Sequence, residues 1–181
     1  SLACGRLSID VRALSRLANH HPRVNVLQPG CGVGGHCIAV DPWFIAAEAP
    51  DSTPLIQTAR RVNDGKSSWV IEQVQSRAAA LEDLIGRPAR IGCFGLAFKP
   101  DVDDLRESPA LHITTELLVA GLEVLACEPN LHEHSTIKLH TLEQVLADAD
   151  LLVFLVSHSP FRNLNLSGRI VFDLCGVTEP T

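Results

Sequence analysis

Methionine is missing from all 181 residues, and the chain opens on SLACGRLSID in what reads as the middle of a helix. These features predict a piece of a longer protein, although removal of an initiator before Ser1 would leave the same absence. No apolar run approaches the roughly 20 residues that a membrane span needs, and the first ten residues lack the apolar stretch of a signal peptide. A soluble, cytoplasmic protein with no membrane partner is expected. Basic residues are in deficit: 15 Lys and Arg stand against 21 Asp and Glu, a formal charge of -6. General attraction to nucleic acid or an anionic membrane is thereby excluded, and any phosphate must be held by a few placed cations. Repeats and low-complexity tracts are absent, and 46% hydrophobic content is enough for one good core or two small ones.

The six cysteines are Cys4, Cys31, Cys37, Cys93, Cys127 and Cys175, scattered through a chain that has its own apolar strands. That distribution suits reduced thiols better than a disulfide framework. Cys93, Cys127 and Cys175 lie in apolar runs and are expected in the core. Cys31, His36 and Cys37 are metal-ligand types close together. No second paired cluster follows, and adjacent His and Cys side chains converge poorly on one tetrahedral ion, so no metal is expected.

Residues 9 to 19 carry Ile9, Val11, Leu14, Leu17 and Ala18 at helical spacing, and His20, His21 and Pro22 end that helix. The extended piece VNVLQ leads to the glycine-rich PGCGVGGHC of residues 29 to 37. Asp41 then reads as the N-cap of a helix with Pro42 at its first position. A longer helical stretch is expected from about Pro54 to Leu84, with Gly65 marking a bend. Gly86, Arg87 and Pro88 punctuate the chain, and a domain boundary is placed there. Beyond it, the strands ARIGCFGLAF, EVLACEP, LLVFLV and RIVFDLC alternate with helices opened by Ser108-Pro109 and by the capping box Thr141 to Gln144. Such alternation implies a parallel sheet covered on both faces. A reversal of winding at the third strand would leave a crevice lined by Phe98 and Lys99 after the first strand and by Ser157 and His158 after the third.

The turn after the first strand, Gly92 to Phe98, lacks a full G-x-G-x-x-G, so this half is a poor candidate for binding NAD by that route. The following loop offers Lys99 and Arg106, a cation and a guanidinium fork suited to phosphate. An isolated Arg106 more often pairs with Asp103, Asp104 or Glu107. In the glycine segment, Cys37 stands near the start of a helix, where the dipole can stabilise a thiolate. A lone cysteine there is more often a small buried thiol beside a turn. Asp41, four residues on, can hold a water or proton near the sulfur or simply cap its helix. His21 and Arg23 flank Pro22 as either a solvated corner or an anion clamp.

Taken together, HHPRVNVLQPGCGVGGHCIAVDPWF and CFGLAFKPDVDDLRESPAL resemble the UDP-glucose/GDP-mannose dehydrogenase family, and the first stretch is nearest the branch that acts on UDP-N-acetylmannosamine. The resemblance covers nearly the whole chain and is weakest from Leu131 to His140 and after Phe161. It implies an α/β protein: a helical central dimerisation segment with the cysteine loop (1–86), then a Rossmann-like parallel-sheet UDP-sugar-binding domain (87–181). It implies oxidation of a sugar C6 alcohol to a carboxylate with NAD as cofactor, Cys37 as nucleophile and Asp41 positioning the hydrolytic water. His21 and Arg23 are implied to reach the UDP-sugar of the neighbouring subunit in a homodimer. Gly34 is implied to line the sugar pocket, Phe98 and Lys99 to bind the substrate, and Arg106 to touch the cofactor. His158 and Arg162 fall loosely in the loop that closes on the nucleotide.

Cys31 departs from the family pattern, which has proline there, and sets a second thiol near the first. The family's N-terminal cofactor domain, with the central-helix lysine and asparagine, has no counterpart in these residues, so the chain by itself is expected not to turn over. Two readings follow. One is a piece of a nucleotide-sugar 6-dehydrogenase serving surface polysaccharide synthesis; the other is a non-catalytic nucleotide-sugar-binding and dimerisation module.

Overall fold

The computed structural model describes residues 1–178. The first half is helical: α1 (Leu2–Arg6), α2 (Val11–Ala18), α3 (Asp41–Glu48) and α4 (Pro54–Ile85), the last running 32 residues. Instead of one continuous opening helix, α1 and α2 are separate. Ser8 takes φ 54°, a left-handed conformation that breaks the run, and the Asp10 carboxylate accepts N–H bonds from Arg12 and Ala13 to start α2 anew. α4 passes through Gly65 without a break. Neighbouring propensity carries the helix across a residue that costs about 1 kcal/mol relative to alanine.

The second half alternates as its pattern predicts: β1 (Arg90–Phe94), α5 (Pro109–Val119), β2 (Glu123–Cys127), α6 (Leu142–Asp148), β3 (Leu151–Phe154) and β4 (Ile170–Asp173). The four strands form one parallel sheet in the order β2-β1-β3-β4, with Ile91 paired to both Val124 and Leu151. Winding therefore reverses between β1 and β3, and the carboxyl ends of those strands open a crevice at the switch point. Ser108 caps α5 by accepting the Leu111 N–H, and Pro109 takes its first position. Thr141 and Gln144 complete the capping box on α6.

One face of the sheet packs Ile91, Cys93, Leu151 and Val153 against Ile113 and Leu117 of α5 and against Val70, Val74, Ala78 and Leu81 of α4. Packing therefore runs without interruption across Gly86, which ends α4 in a left-handed conformation at φ 71°. The other face holds Phe94 stacked on Phe154 with centroids 4.5 Å apart and Phe161 edge-on to both. Contacts of this kind add about 0.5 to 1.5 kcal/mol each beyond their buried area. Cys93 and Cys127 are buried as their apolar settings predict, and Cys175 is partly buried. No helix among the described residues is long and apolar enough to cross a membrane.

Candidate functional site

The glycine segment reaches the crevice along a path fixed by two side-chain amides. Asn19 closes the turn after α2 by accepting the Val26 N–H at 2.6 Å and donating to the Val26 carbonyl at 3.0 Å. Asn63 of α4 grips Val33 in the same two-way manner, at 2.8 and 3.1 Å. Between these points the chain belongs to no helix or strand, and beyond them it docks on the loop between β1 and α5. Gly35 donates its N–H to the Arg106 carbonyl at 3.1 Å. A Cβ on Gly34 would overlap the Glu107 carbonyl oxygen, and one on Gly35 (φ 89°) would stand 2.9 Å from the Phe98 ring. Glycine is required at both positions because backbone meets backbone and ring there. The two motifs, residues 29–37 and 93–111, are more than fifty residues apart in the chain and thus become one surface.

Cys37 stands in the turn that follows this docked segment. Of the six thiols it alone is exposed, while Cys4 and Cys31 are buried. Its carbonyl accepts the N–H groups of Val40 and Asp41 at 3.0 and 2.8 Å, placing Asp41 one turn along, at the first residue of α3. Asp41 is not the N-cap that the sequence predicts. Val40 occupies that position in a helical conformation with no side-chain capping bond, because the 36–40 turn runs directly into the helix.

Arg106 forks onto Asp104, Nε lying 3.0 and 3.1 Å from the two carboxylate oxygens and Nη2 2.6 Å from one. The neighbouring-carboxylate pairing considered for Arg106 is therefore realised. Those bonds hold the Asp104 carboxyl down at about 2, with the Arg106 charge and then His36 assisting. The Arg106 pKa is raised by its bonds to Asp104, then by the charge of Asp104.

At the switch point a cavity of about 180 Å³ is lined by Gln28, Gly30, Cys31, Phe98, Lys99 and Ser157, among others. The glycine segment forms one wall and the ends of β1 and β3 form the other. Lys99 is exposed at its rim, with Nζ 5.4 Å from the Phe98 ring centroid. Cys31 donates its thiol to the Leu155 carbonyl at 3.5 Å, and burial pushes its pKa up to about 12, so it packs rather than reacts.

Gly34, Phe98 and Arg106 meet at the docked loops, next to the turn that bears Cys37 and Asp41, and Phe98 and Lys99 also line the crevice. His21 and Arg23 sit apart on an exposed turn after α2, joined by the Arg23 N–H donating to His21 Nδ1 at 3.2 Å. His158 does not line the crevice as the strand pattern predicts. It is fully buried, because the chain after β3 turns inward and bonds it to Glu128.

Three contributors escape sequence reasoning. Asn63 lies inside an ordinary helix, and Asp101 among other loop carboxylates. Glu128 had a readable signal, an acid directly after an apolar strand at the end of β2. Its Oε2 accepts the Leu96 and Ala97 N–H groups at 2.7 and 3.0 Å. The turn that would face a dinucleotide pyrophosphate has thus spent its donors on an internal carboxylate, which agrees with its missing glycine fingerprint.

A switch-point crevice, with an exposed thiol in the turn after the segment that walls it, defines an α/β protein with room for a small ligand. Comparison with known proteins sharpens that class. Residues 92–180 match the UDP binding domain of the UDP-glucose/GDP-mannose dehydrogenase family, and residues 1–65 match its central domain. The UDP-N-acetyl-D-mannosamine dehydrogenase of Escherichia coli K12 is 53% identical over 98% of this chain, which spans 45% of that relative. The NDP-N-acetyl-D-galactosaminuronic acid dehydrogenase of Ralstonia solanacearum is 44% identical, again over 98% of this chain and 43% of the relative. The solved structure of a UDP-N-acetyl-mannosamine dehydrogenase from Staphylococcus aureus superposes with TM-score 0.82 at 38% identity, covering 99% of this chain and 43% of its own. The chain belongs to the UDP-glucose/GDP-mannose dehydrogenase family, and it spans a little under half the length of these relatives.

Proposed function

We propose that this chain carries the thiol and the nucleotide-sugar crevice of an NAD-dependent 6-dehydrogenase that oxidises UDP-N-acetylmannosamine to the uronate for surface polysaccharide synthesis. The observation that carries the reading is Cys37: the one exposed thiol of six, two residues beyond Gly35, which docks on Phe98 and Arg106. The choice of sugar draws on the E. coli and S. aureus relatives. In this reading residues 1–86 form the central, dimerising domain and residues 87–181 the UDP-sugar domain.

NAD would accept the two hydrides that this four-electron oxidation releases. The β1 turn does not fit the NAD pyrophosphate, since Glu128 holds its Leu96 and Ala97 N–H groups. Phe98 and Lys99 hold the substrate at the crevice, Lys99 by charge, and Gly34 lines the sugar pocket. Cys37 Sγ adds to the C6 aldehyde carbon to give a thiohemiacetal, whose oxidation leaves a thioester on the same sulfur. Asp41, one turn away, positions the water that adds to the thioester carbonyl; the carboxylate product leaves and the sulfur regains its proton. Arg106 would touch the cofactor. His21 and Arg23, exposed and away from this crevice, reach the UDP-sugar of the partner subunit in a homodimer.

The experiment has two arms. Calorimetric titration of UDP into the folded 181-residue chain should show one weak site, and no binding would count against the crevice assignment. In an enzyme of the relatives' length carrying this sequence, UDP-N-acetylmannosamine and NAD should yield uronate. UDP binding with no uronate from that enzyme would point instead to a non-catalytic binding module.

A further inference from the structure

Glu128 and His158 are both buried, with 4% and 0% of their surfaces exposed, and neither has a part in the chemistry above. A carboxylate removed from water is tolerated only when donors surround it. Glu128 has five: Oε2 takes the N–H groups of Leu96 and Ala97 and His158 Nε2 at 3.0 Å, while Oε1 takes the Asn130 N–H at 3.1 Å and its side-chain amide at 3.3 Å. Burial pushes the Glu128 carboxyl up, yet the bonds from His158, Leu96 and Asn130 outweigh it and hold it below the ordinary value. His158 Nδ1 faces only donors, the Asp101 N–H at 2.9 Å and the Asn130 amide at 3.0 Å. It must therefore accept, which leaves the proton on Nε2, directed at Glu128.

The network continues outward. Asp101 takes the Ser159 N–H and hydroxyl, each at 2.7 Å. Asp101 is itself in a left-handed conformation at φ 59°, an arrangement that side-chain bonds of this kind hold in place. The segment from Leu96 to Asp101 is thus tied at its start by Glu128 and at its end by His158 and Ser159. Phe98 and Lys99 are the residues between the ties. Between the ties the Phe98 N–H donates to the Asp104 carbonyl at 3.1 Å.

We propose that Glu128, with His158, is the positioning pair of the crevice: its carboxylate stands where a nucleotide phosphate would meet the β1 turn and fixes the short loop that presents Phe98 and Lys99 to the ligand. The inference rests on the reading of that crevice as the UDP-sugar site. It also assigns a specificity role, because a turn whose donors are held by an internal anion takes no external one.

The test combines calorimetry with UDP and amide spectra of the 181-residue chain for wild type, Glu128→Gln and Ser159→Ala. In the wild type the Leu96 and Ala97 amide protons are expected far downfield, as carboxylate-bonded N–H groups. Glu128→Gln should abolish that shift, speed hydrogen exchange at Phe98 and Lys99 at least tenfold and weaken UDP binding about tenfold. Formate added to a Glu128→Ala chain should restore part of the affinity. Ser159→Ala, at the partly exposed end, keeps the fold and should weaken binding about threefold, so that a Glu128 variant that fails to fold still leaves a decisive measurement. Wild-type binding that both variants retain in full would overturn the inference. If wild type itself binds no UDP, the site reading fails separately, and unchanged exchange at Phe98 and Lys99 in the variants would then overturn the positioning claim by itself.

Discussion

Residues 1–53 and residues 87–174 use their apolar side chains in opposite ways. In the second region Ile91, Phe94, Leu151, Phe154 and Phe161 are fully buried, and the strands hold one another in register. In the first, Leu14, Leu17, Leu27, Ile38, Phe44 and Ile45 are exposed, Leu27 by 73% and Phe44 by 68%. The first region is kept in place by a few polar clamps at Asn19, Asn63 and Gly35 and by the Arg12 guanidinium, which donates to the Asp173 carbonyl. Stability therefore resides in the sheet and in the second half of α4, whereas the exposed thiol is carried by the segment with little core of its own.

Substitutions can break or sharpen this contrast. The largest effect is expected from Cys37→Ser in an enzyme of the relatives' length: uronate formation should vanish while the melting temperature is unchanged, and undiminished product would remove the nucleophile. Next come two glycines compared directly. Gly92→Ala puts a Cβ 2.6 Å from Val145 Cγ1 inside the sheet's packing and should cost about 1 to 3 kcal/mol in denaturant unfolding. Gly34→Ala drives a Cβ into the Glu107 carbonyl but strikes the lightly packed region. It should lower stability much less, yet change the labelling rate of Cys37 by an aromatic disulfide. Equal stability losses would erase the contrast between the regions.

Lys66 gives a pH test. It is 7% exposed on α4, with Nζ 3.7 Å from the centre of the Trp69 ring, and burial lowers its pKa from 10.5 to about 8. The folded chain therefore releases this proton earlier than the unfolded chain. Stability should be flat in this term below pH 8 and rise as pH climbs from about 8 to 10.5. Lys66→Met should flatten that rise and stabilise the chain at pH 7 by about 2 kcal/mol, after allowing for the lost cation–π contact. A destabilised variant would mean that the ammonium has a stronger partner than the ring. The smallest effect is expected at Gly65→Ala, where open space surrounds the new methyl. Thermal unfolding should show a gain of about 0.5 to 1 kcal/mol from helix propensity alone.

The switch-point crevice was legible from sequence because alternating apolar strands and capped helices leave few ways to wind a sheet. Ser108-Pro109 and Thr141 to Gln144 gave their helix starts by local chemistry, which a sequence states directly. Asp41 differs for the reverse reason: whether a residue caps a helix or begins it depends on the preceding turn, and the 36–40 turn runs into α3 with Val40 already in a helical conformation. His158 shows a second limit. A histidine after a strand can face the crevice or fold under it, and only the acid across the sheet at Glu128 selects the buried position. The requirement for glycine at residue 34 follows from the Glu107 carbonyl, a contact between segments more than seventy residues apart that no local pattern encodes.

The most direct test follows the sulfur itself. An enzyme of the relatives' length carrying Asp41→Asn would be mixed with UDP-N-acetylmannosamine and NAD, quenched in acid and analysed by intact mass and peptide mapping. An acyl adduct of the sugar nucleotide is predicted on the peptide containing Cys37, because the thioester should outlive its impaired hydrolysis. Uronate formed at an undiminished rate with no adduct, or an adduct mapped to another residue, would contradict the assignment of Cys37.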